Sequence, residues 1–359
     1  MTPIIGRIKV LLVNDSFHAL DVMGKICHSD PMISVIATAR NGIEALKSIE
    51  ISKPDVVVMD LTMPYMDGPT TIRQIMQKKP VPILVCAPDD ANQPSLALSC
   101  LSLGAVDAVL FNEKIDPMNL DAHLATLPTR IKLVSTIRAI RMLGGNIKDN
   151  FGTNALTGSM AVRPSPSKAR SVLTIGASTG GPSALKFILS RLPERFQSAI
   201  LIAQHMPENM TNELLKMLAL STRVGICEGR HGMNIEPGRI YIAPGGKNMV
   251  ISDDRTIELT NASIYEHVPS VDTMMSSAAA AFRNNTVGLV LTGMGSDGKN
   301  GVVQIKSNGG MSFAQDQSTS VVFGMPKEAA STGTVDKVLP LDQIPLQLAK
   351  LIGVTENVA

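Results

Sequence analysis

Leu173-Thr174-Ile175-Gly176-Ala177-Ser178-Thr179-Gly180-Gly181-Pro182 is the stretch that decides how this chain folds. It reads as an apolar strand, a tight turn carrying one serine, and a helix start. Gly176-Ala177-Ser178-Thr179-Gly180 fits the G-x-S-x-G pattern, in which a strand-to-helix turn lifts a hydroxyl clear of a sheet. The same turn places main-chain N–H groups at a helix N-terminus, where a developing oxyanion is stabilised. Taken alone, the pattern also fits tight strand–helix packing or a phosphate-binding turn.

Outward from this stretch, apolar strands are predicted at Val172–Ile175, Ala199–Ala203, Ile240–Ala243, Thr286–Leu291 and Val335–Leu339. Helical spacing falls at Ser183–Leu192, Met210–Ala219, Ser270–Phe282 and Gly298–Asn308. This is an α/β domain over residues 169–355. Upstream, Ile8–Val13, Val35–Ala39, Val56–Met59, Ile83–Cys86 and Ala108–Phe111 alternate with amphipathic stretches. That spacing predicts a doubly wound parallel sheet over residues 5–128. Between them, residues 129–168 read as a linker opening with a basic helix, Arg130–Leu143, and continuing as a Gly/Ser/Pro-rich segment.

A serine needs a base to remove its proton. The chain has six histidines, His18, His28, His123, His205, His231 and His267. His205 follows the apolar run Ile200-Leu201-Ile202-Ala203-Gln204, so it shares with Ser178 a place at a strand's carboxyl end. Val287-Gly288-Leu289-Val290-Leu291-Thr292-Gly293-Met294-Gly295-Ser296-Asp297-Gly298 is a third strand and turn, and it supplies a carboxylate, Asp297, to orient the imidazole. The Met294 main-chain N–H is a candidate oxyanion donor. Each residue alone has a plainer reading: a histidine at a strand end is often structural, and Asp297 could cap the following helix. The chain order Ser, His, Asp differs from the Ser, acid, His order of α/β-hydrolases and points to another topology.

Composition narrows the class. The 33 basic and 31 acidic residues give a net charge of +2, which offers no electrostatic case for nucleic acid or an anionic membrane. Aromatics make up 3%, with no Trp, so aliphatic cores are expected. Cys27, Cys86, Cys100 and Cys227 lack metal-ligand spacing and read as reduced thiols. No signal-peptide order or membrane-length apolar run occurs, so a cytoplasmic protein without membrane insertion is expected.

Ile175–Pro182, Gln204-His205-Met206-Pro207 and Leu291–Gly298 together resemble the signature motifs of the bacterial chemotaxis methylesterases, the CheB family. Tyr241-Ile242-Ala243-Pro244-Gly245-Gly246, Pro269-Ser270-Val271-Asp272, Ala314-Gln315-Asp316 and Ser320–Pro326 extend the likeness across the second domain. The resemblance implies hydrolysis of glutamate γ-methyl esters, and deamidation of particular glutamines, on methyl-accepting chemotaxis receptors. It implies Ser178 as nucleophile, His205 as base, Asp297 as orienting acid, and the Met294 N–H as oxyanion donor with Thr179 in support. The chemistry it implies needs no metal or organic cofactor. One departure is Lys247-Asn248, where the family often has a histidine; an altered substrate contact is expected there.

The first domain resembles a response-regulator receiver with a flavodoxin-like sheet. Val56-Val57-Val58-Met59-Asp60 and Met63-Pro64-Tyr65-Met66-Asp67-Gly68 make Asp60 the phosphoacceptor, with a chemotaxis histidine kinase as implied partner and Mg²⁺ as implied ion on Asp15 and Asp60. The usual acidic pair is Asn14-Asp15, the switch hydroxyl position holds Cys86 followed by Ala87, and the expected lysine aligns near Phe111-Asn112, with Lys114 three residues late. Either Asn14 weakens metal binding alone, or the receiver is impaired in phosphorylation and signalling; the latter is expected. Two further readings of the whole chain stay open, a catalytically weak regulatory binding protein and a hydrolase of another methyl ester.

Overall fold

The computed structural model describes residues 7–88, 93–111, 127–135, 168–261 and 267–353. The chain divides into two compact units at Asn154/Ala155.

In the first unit, strands β1 (Ile8–Val13), β2 (Ile33–Ala39), β3 (Val56–Met59), β4 (Ile83–Pro88) and β5 (Asp107–Phe111) form one parallel sheet in the order β2-β1-β3-β4-β5. Every residue of β3, Val-Val-Val-Met, is fully buried, as expected of a strand covered on both faces. Helices α1 (Phe17–His28), α2 (Gly42–Ser52) and α3 (Gly68–Lys78) begin at Ser16, Asn41 and Asp67, whose side chains accept the N–H groups of Ala19, Glu44 and Thr70. Helix α4 (Gln93–Ser102) follows. The strand order reverses between β1 and β3, which opens a crevice at their carboxyl ends. Asn14 and Asp60 stand at that crevice.

Helix α5 (Leu127–Ser135) begins the segment expected to be a linker, yet it packs on α1, β3 and β4. Leu127, Ile131 and Val134, an i, i+4, i+7 stripe, are fully buried. Lys132 Nζ lies 2.7 Å from Asp30, and Arg130 pairs with Asp107. The basic face therefore serves the first unit. The rest of the expected linker, residues 136–167, lies outside the described residues.

The second unit runs β6 (Val172–Ala177), β7 (Ala199–Gln204), β8 (Gly225–Glu228), β9 (Met233–Asn234), β10 (Arg239–Ile242), β11 (Lys247–Ile251), β12 (Thr256–Asn261), β13 (Thr286–Val290), β14 (Met311–Gln315) and β15 (Lys337–Leu339). Its helices are α6 (Gly181–Leu189), α7 (Thr211–Ala219), α8 (Val271–Phe282), α9 (Lys299–Ser307), α10 (Met325–Ser331) and α11 (Ile344–Ala349). Seven parallel strands take the order β15-β14-β13-β6-β7-β10-β8. The chain grows to one side of β6 and then returns to its other side at β13, so the switch point lies between β6 and β13. A separate antiparallel sheet, β11-β12-β9, was not anticipated. The reason is visible in β12, Thr-Ile-Glu-Leu-Thr-Asn, which buries only Ile257 and carries little apolar signal. Nor is the core wholly aliphatic: Tyr241, Phe282 and Phe313 are its largest fully buried side chains.

Candidate active site

Ser178 is the first residue beyond β6, and His205 the first beyond β7. Ala177 and Gln204 are register partners, and the His205 N–H donates to Ala177 O at 3.0 Å. Nucleophile and base are thus set by the pairing of two neighbouring parallel strands. On the other side of β6, the chain beyond β13 continues the ladder: the Leu291 N–H donates to Gly176 O at 2.9 Å, and the Ser178 N–H to Thr292 O at 3.1 Å. Gly293 then passes so close that a Cβ there would sit 2.7 Å from Ser178 Cβ. Only glycine permits that approach.

Asp297 Oδ2 lies 2.7 Å from His205 Nε2. The carboxylate is seated on the N-terminus of α8: Oδ2 accepts from the Val271 N–H and Oδ1 from the Asp272 N–H, both at 2.7 Å. Burial pushes Asp297 toward protonation, but the His205 hydrogen bond and these two N–H groups outweigh it and hold the carboxyl below its ordinary value. An ionised Asp297 fixes the proton on Nε2 and leaves the Nδ1 lone pair of His205 as the basic site. The Ser178 hydroxyl has no hydrogen-bond partner among the described residues. Contacts of this kind are commonly long before substrate binds and tighten around the transition state.

The main-chain N–H groups of Thr179 and Met294 likewise have no partner among the described residues. The first follows Ser178 on the α6 turn, and the second follows Gly293, the glycine that passes against Ser178. Thr292 joins the two turns: its hydroxyl donates to Thr179 O at 2.9 Å and accepts from the Val322 N–H at 2.8 Å.

Sequence reasoning missed the supporting residues. The His267 ring stacks on His205, centroids 5.1 Å apart and 18° from coplanar. Asp297 does not cap α9; Gly298 is its N-cap, and Asp272 Oδ1 accepts from the N–H groups of Gly298 and Gly301 at 2.9 and 2.7 Å. Burial, with the Asp297 charge beside it, raises Asp272. Asn248, read as a rim departure, is buried and accepts the Ser270 N–H at 2.7 Å, which supports the N-cap of α8, while Lys247 is exposed. These links join residues more than 20 apart, beyond the reach of local pattern.

The family model described as CheB methylesterase matches residues 173–348, and that of the response regulator receiver domain matches residues 10–122. A protein-glutamate methylesterase/protein-glutamine glutaminase of Pyrococcus horikoshii is 35% identical, covering 98% of this chain and 96% of that protein. One from Geobacter sulfurreducens is also 35% identical, over 98% of this chain and 99% of its own. The chain belongs to the CheB family. Among solved structures, the Thermotoga maritima CheB methylesterase catalytic domain is 36% identical, covering 51% of this chain and 98% of its own, with a TM-score of 0.49.

In this CheB chain the receiver crevice differs from what the family implies. Asn14 is 3% exposed and Asp60 7%. The Ser16 N–H donates to Asn14 Oδ1 at 2.8 Å, so the amide is oriented, and Asn14 Nδ2 donates to Asp60 Oδ2 at 3.3 Å. Asp60 Oδ1 accepts the Leu61 N–H at 2.6 Å, and Asp15 is exposed. Cys86 is buried, and burial followed by the nearby Asp60 charge pushes its thiol up to about 12. Asn112 and Lys114 lie outside the described residues. Asn14 thus places an amide N–H, where the family has a second carboxylate, beside Asp60 Oδ2, so the acidic pair that Mg²⁺ favours is incomplete here. Among the described residues, no helix is long and apolar enough to cross a membrane.

Proposed function

We propose that this chain is a cytoplasmic protein-glutamate methylesterase and protein-glutamine glutaminase acting on chemoreceptor cytoplasmic segments. The observation that supports it most is the Asp297–His205 pair, with His205 and Ser178 each first beyond its strand and two nearby N–H groups without a partner among the described residues. Ser178 Oγ attacks the ester carbonyl carbon while its proton passes to His205 Nδ1. Asp297 stabilises the imidazolium, and the Met294 N–H, supported by that of Thr179, holds the oxyanion. The tetrahedral intermediate expels methanol, which takes the proton from His205. Water then attacks the acyl-serine by the reverse route and frees the glutamate carboxylate. With a glutamine substrate the leaving group is ammonia. His205 works here with its ring inverted relative to the familiar serine protease arrangement, Nε2 to the acid and Nδ1 to the nucleophile.

The test is methanol release from a methylated receptor fragment by the full chain and by Ser178→Ala. The expected result is release that falls by on the order of 10⁴-fold in the variant. Equal release by both would sink the mechanism, and turnover of small esters but not of the receptor would leave a hydrolase of another ester.

The first unit we read as a receiver impaired in phosphoryl transfer. Asn14, oriented against Asp60, and the buried Cys86 thiol at the switch position support this reading. Stoichiometric labelling of Asp60 by acetyl phosphate, coupled to faster ester turnover, would count decisively against it.

A further inference from the structure

Gln204 is the last residue of β7 and is 3% exposed. Its Nε2 donates to two main-chain carbonyls, Ser178 O at 2.9 Å and His205 O at 3.1 Å. Those are the carbonyls of the nucleophile and of the base. Its Oε1 is the one buried side-chain oxygen or nitrogen without a hydrogen-bond partner among the described residues. Turning the amide over would aim Oε1 at both carbonyl oxygens, so the orientation is forced. A buried acceptor left unpaired lowers stability, and each such case in a native structure calls for an explanation.

Its surroundings show why no partner reaches it. Oε1 rests against Gly181, where a Cβ would lie 2.0 Å away. The Gly181 N–H is already donated to Ser178 O at 2.8 Å, and the next residue is Pro182, which has no N–H. A methionine would fill the same space with no polar atom to strand. The chain instead has an amide whose donors reach Ser178 and His205.

We infer that Gln204 is a positioning residue: its amide clamps the Ser178 turn to the His205 turn and sets the distance across which the proton moves. The inference rests on the Ser178–His205 reading above. Strand pairing ends at the His205 N–H, so beyond that point the side chain of Gln204 is a direct tie between the two carbonyls. A purely structural glutamine would lose stability and activity together when replaced. A clamp predicts that they separate.

The experiment compares the full-length protein with Gln204→Met, Gly181→Ala and Ser178→Ala. It measures kcat and KM for methanol release from a methylated receptor fragment, the rate of Ser178 labelling by a fluorophosphonate probe, and Tm. Gln204→Met is expected to lower kcat by about 10- to 100-fold with KM changed less than about twofold, since small misplacements of reacting groups carry penalties of this size. Its labelling rate should fall in the same proportion, while Tm holds or rises. Gly181→Ala displaces the amide without removing it and should lower kcat likewise, which keeps the test standing if the methionine variant fails to fold. A folded Gln204→Met or Gly181→Ala with kcat within about twofold of the parent overturns the inference, and so does a kcat that falls only as far as the folded fraction. If the parent shows no Ser178-dependent turnover, the active-site reading itself fails, an outcome separate from failure of the clamp alone.

Discussion

Two crevices in this chain are built alike and equipped differently. Each lies at the carboxyl ends of a parallel sheet, where the strand order reverses: Asn14 and Asp60 after β1 and β3, Ser178 and Thr292–Met294 after β6 and β13. In the second unit the half-buried carboxylate of Asp297 faces a histidine and two helix N–H groups, which favour its charged form. In the first unit the buried carboxylate, Asp60, faces instead the amide of Asn14 and the Leu61 N–H. A fold supplies a place for chemistry; what the place does depends on one or two partners of the charge it buries.

The sharpest way to break this contrast is to neutralise the acid that faces the histidine. Asp297→Asn is expected to reduce kcat by on the order of 10³- to 10⁴-fold with little change in KM, because the amide no longer enforces the Nε2–H tautomer or stabilises the imidazolium. Methanol release under saturating receptor fragment measures it; a loss under tenfold would remove Asp297 from the mechanism.

Next in size is Gly293→Ala. The added Cβ would press within 2.7 Å of Ser178 Cβ and 3.1 Å of its main-chain N. A kcat loss of about 10- to 100-fold and a destabilisation of about 1–3 kcal/mol are expected, read by kinetics and by denaturant unfolding. Parent-like kinetics would mean that the turn gives way freely.

The contrast can also be sharpened from the other crevice. Asn14→Asp restores a second carboxylate beside Asp60 and should strengthen divalent-cation binding at this crevice relative to the parent. At Mg²⁺ ten times the dissociation constant, binding stabilises the first unit by about 1.4 kcal/mol, seen as a rise in its Tm with added ion. An equal rise in the parent would show that the Asn14 amide does not keep the ion out.

The smallest effect is the pH dependence of stability. Folding lowers Asp297 below the unfolded carboxyl value of about 3.9, so its contribution is full above that pH and is lost as pH falls through the lowered value. Asp272 is raised, so its contribution is full below about 3.9 and is lost as pH rises through the raised value. The neighbours therefore oppose one another. Calorimetry from about pH 3 to about pH 6 should show Asp297→Asn flattening the acid loss of Tm; an unchanged slope would refute the assignment.

Much of this was legible in the sequence for a physical reason. Strands covered on both faces must be apolar throughout, so Val56–Met59 and Ala199–Ala203 declare themselves, and a functional residue just beyond such a run is at a strand end by construction. Ser178 and His205 stand at such places, while Asp297 lies further on, in the turn between β13 and α9. Strands that bury only part of their length do not declare themselves: Gly225–Glu228 is half-buried throughout, and the antiparallel sheet alternates weakly. Supports such as His267, Asp272 and Gln204 exist only through contacts between distant segments. Gln204 left one trace, a polar residue closing an otherwise apolar buried strand. The basic stretch expected as a linker helix, Arg130–Leu143, misled because, over the described part, charge on one face hid the buried stripe on the other.

The close passage of Gly293 against Ser178 also bears on how this enzyme can diversify. A lineage, or a laboratory library, is constrained at that turn, because one added methyl group would press within 2.4 Å of Met325 Sδ and 2.7 Å of Ser178 Cβ. Changes of target are channelled outward, to side chains that reach solvent, such as Met294 and Lys247. Related receptors can then be told apart by swapping a rim while the bond-breaking machinery is inherited unaltered.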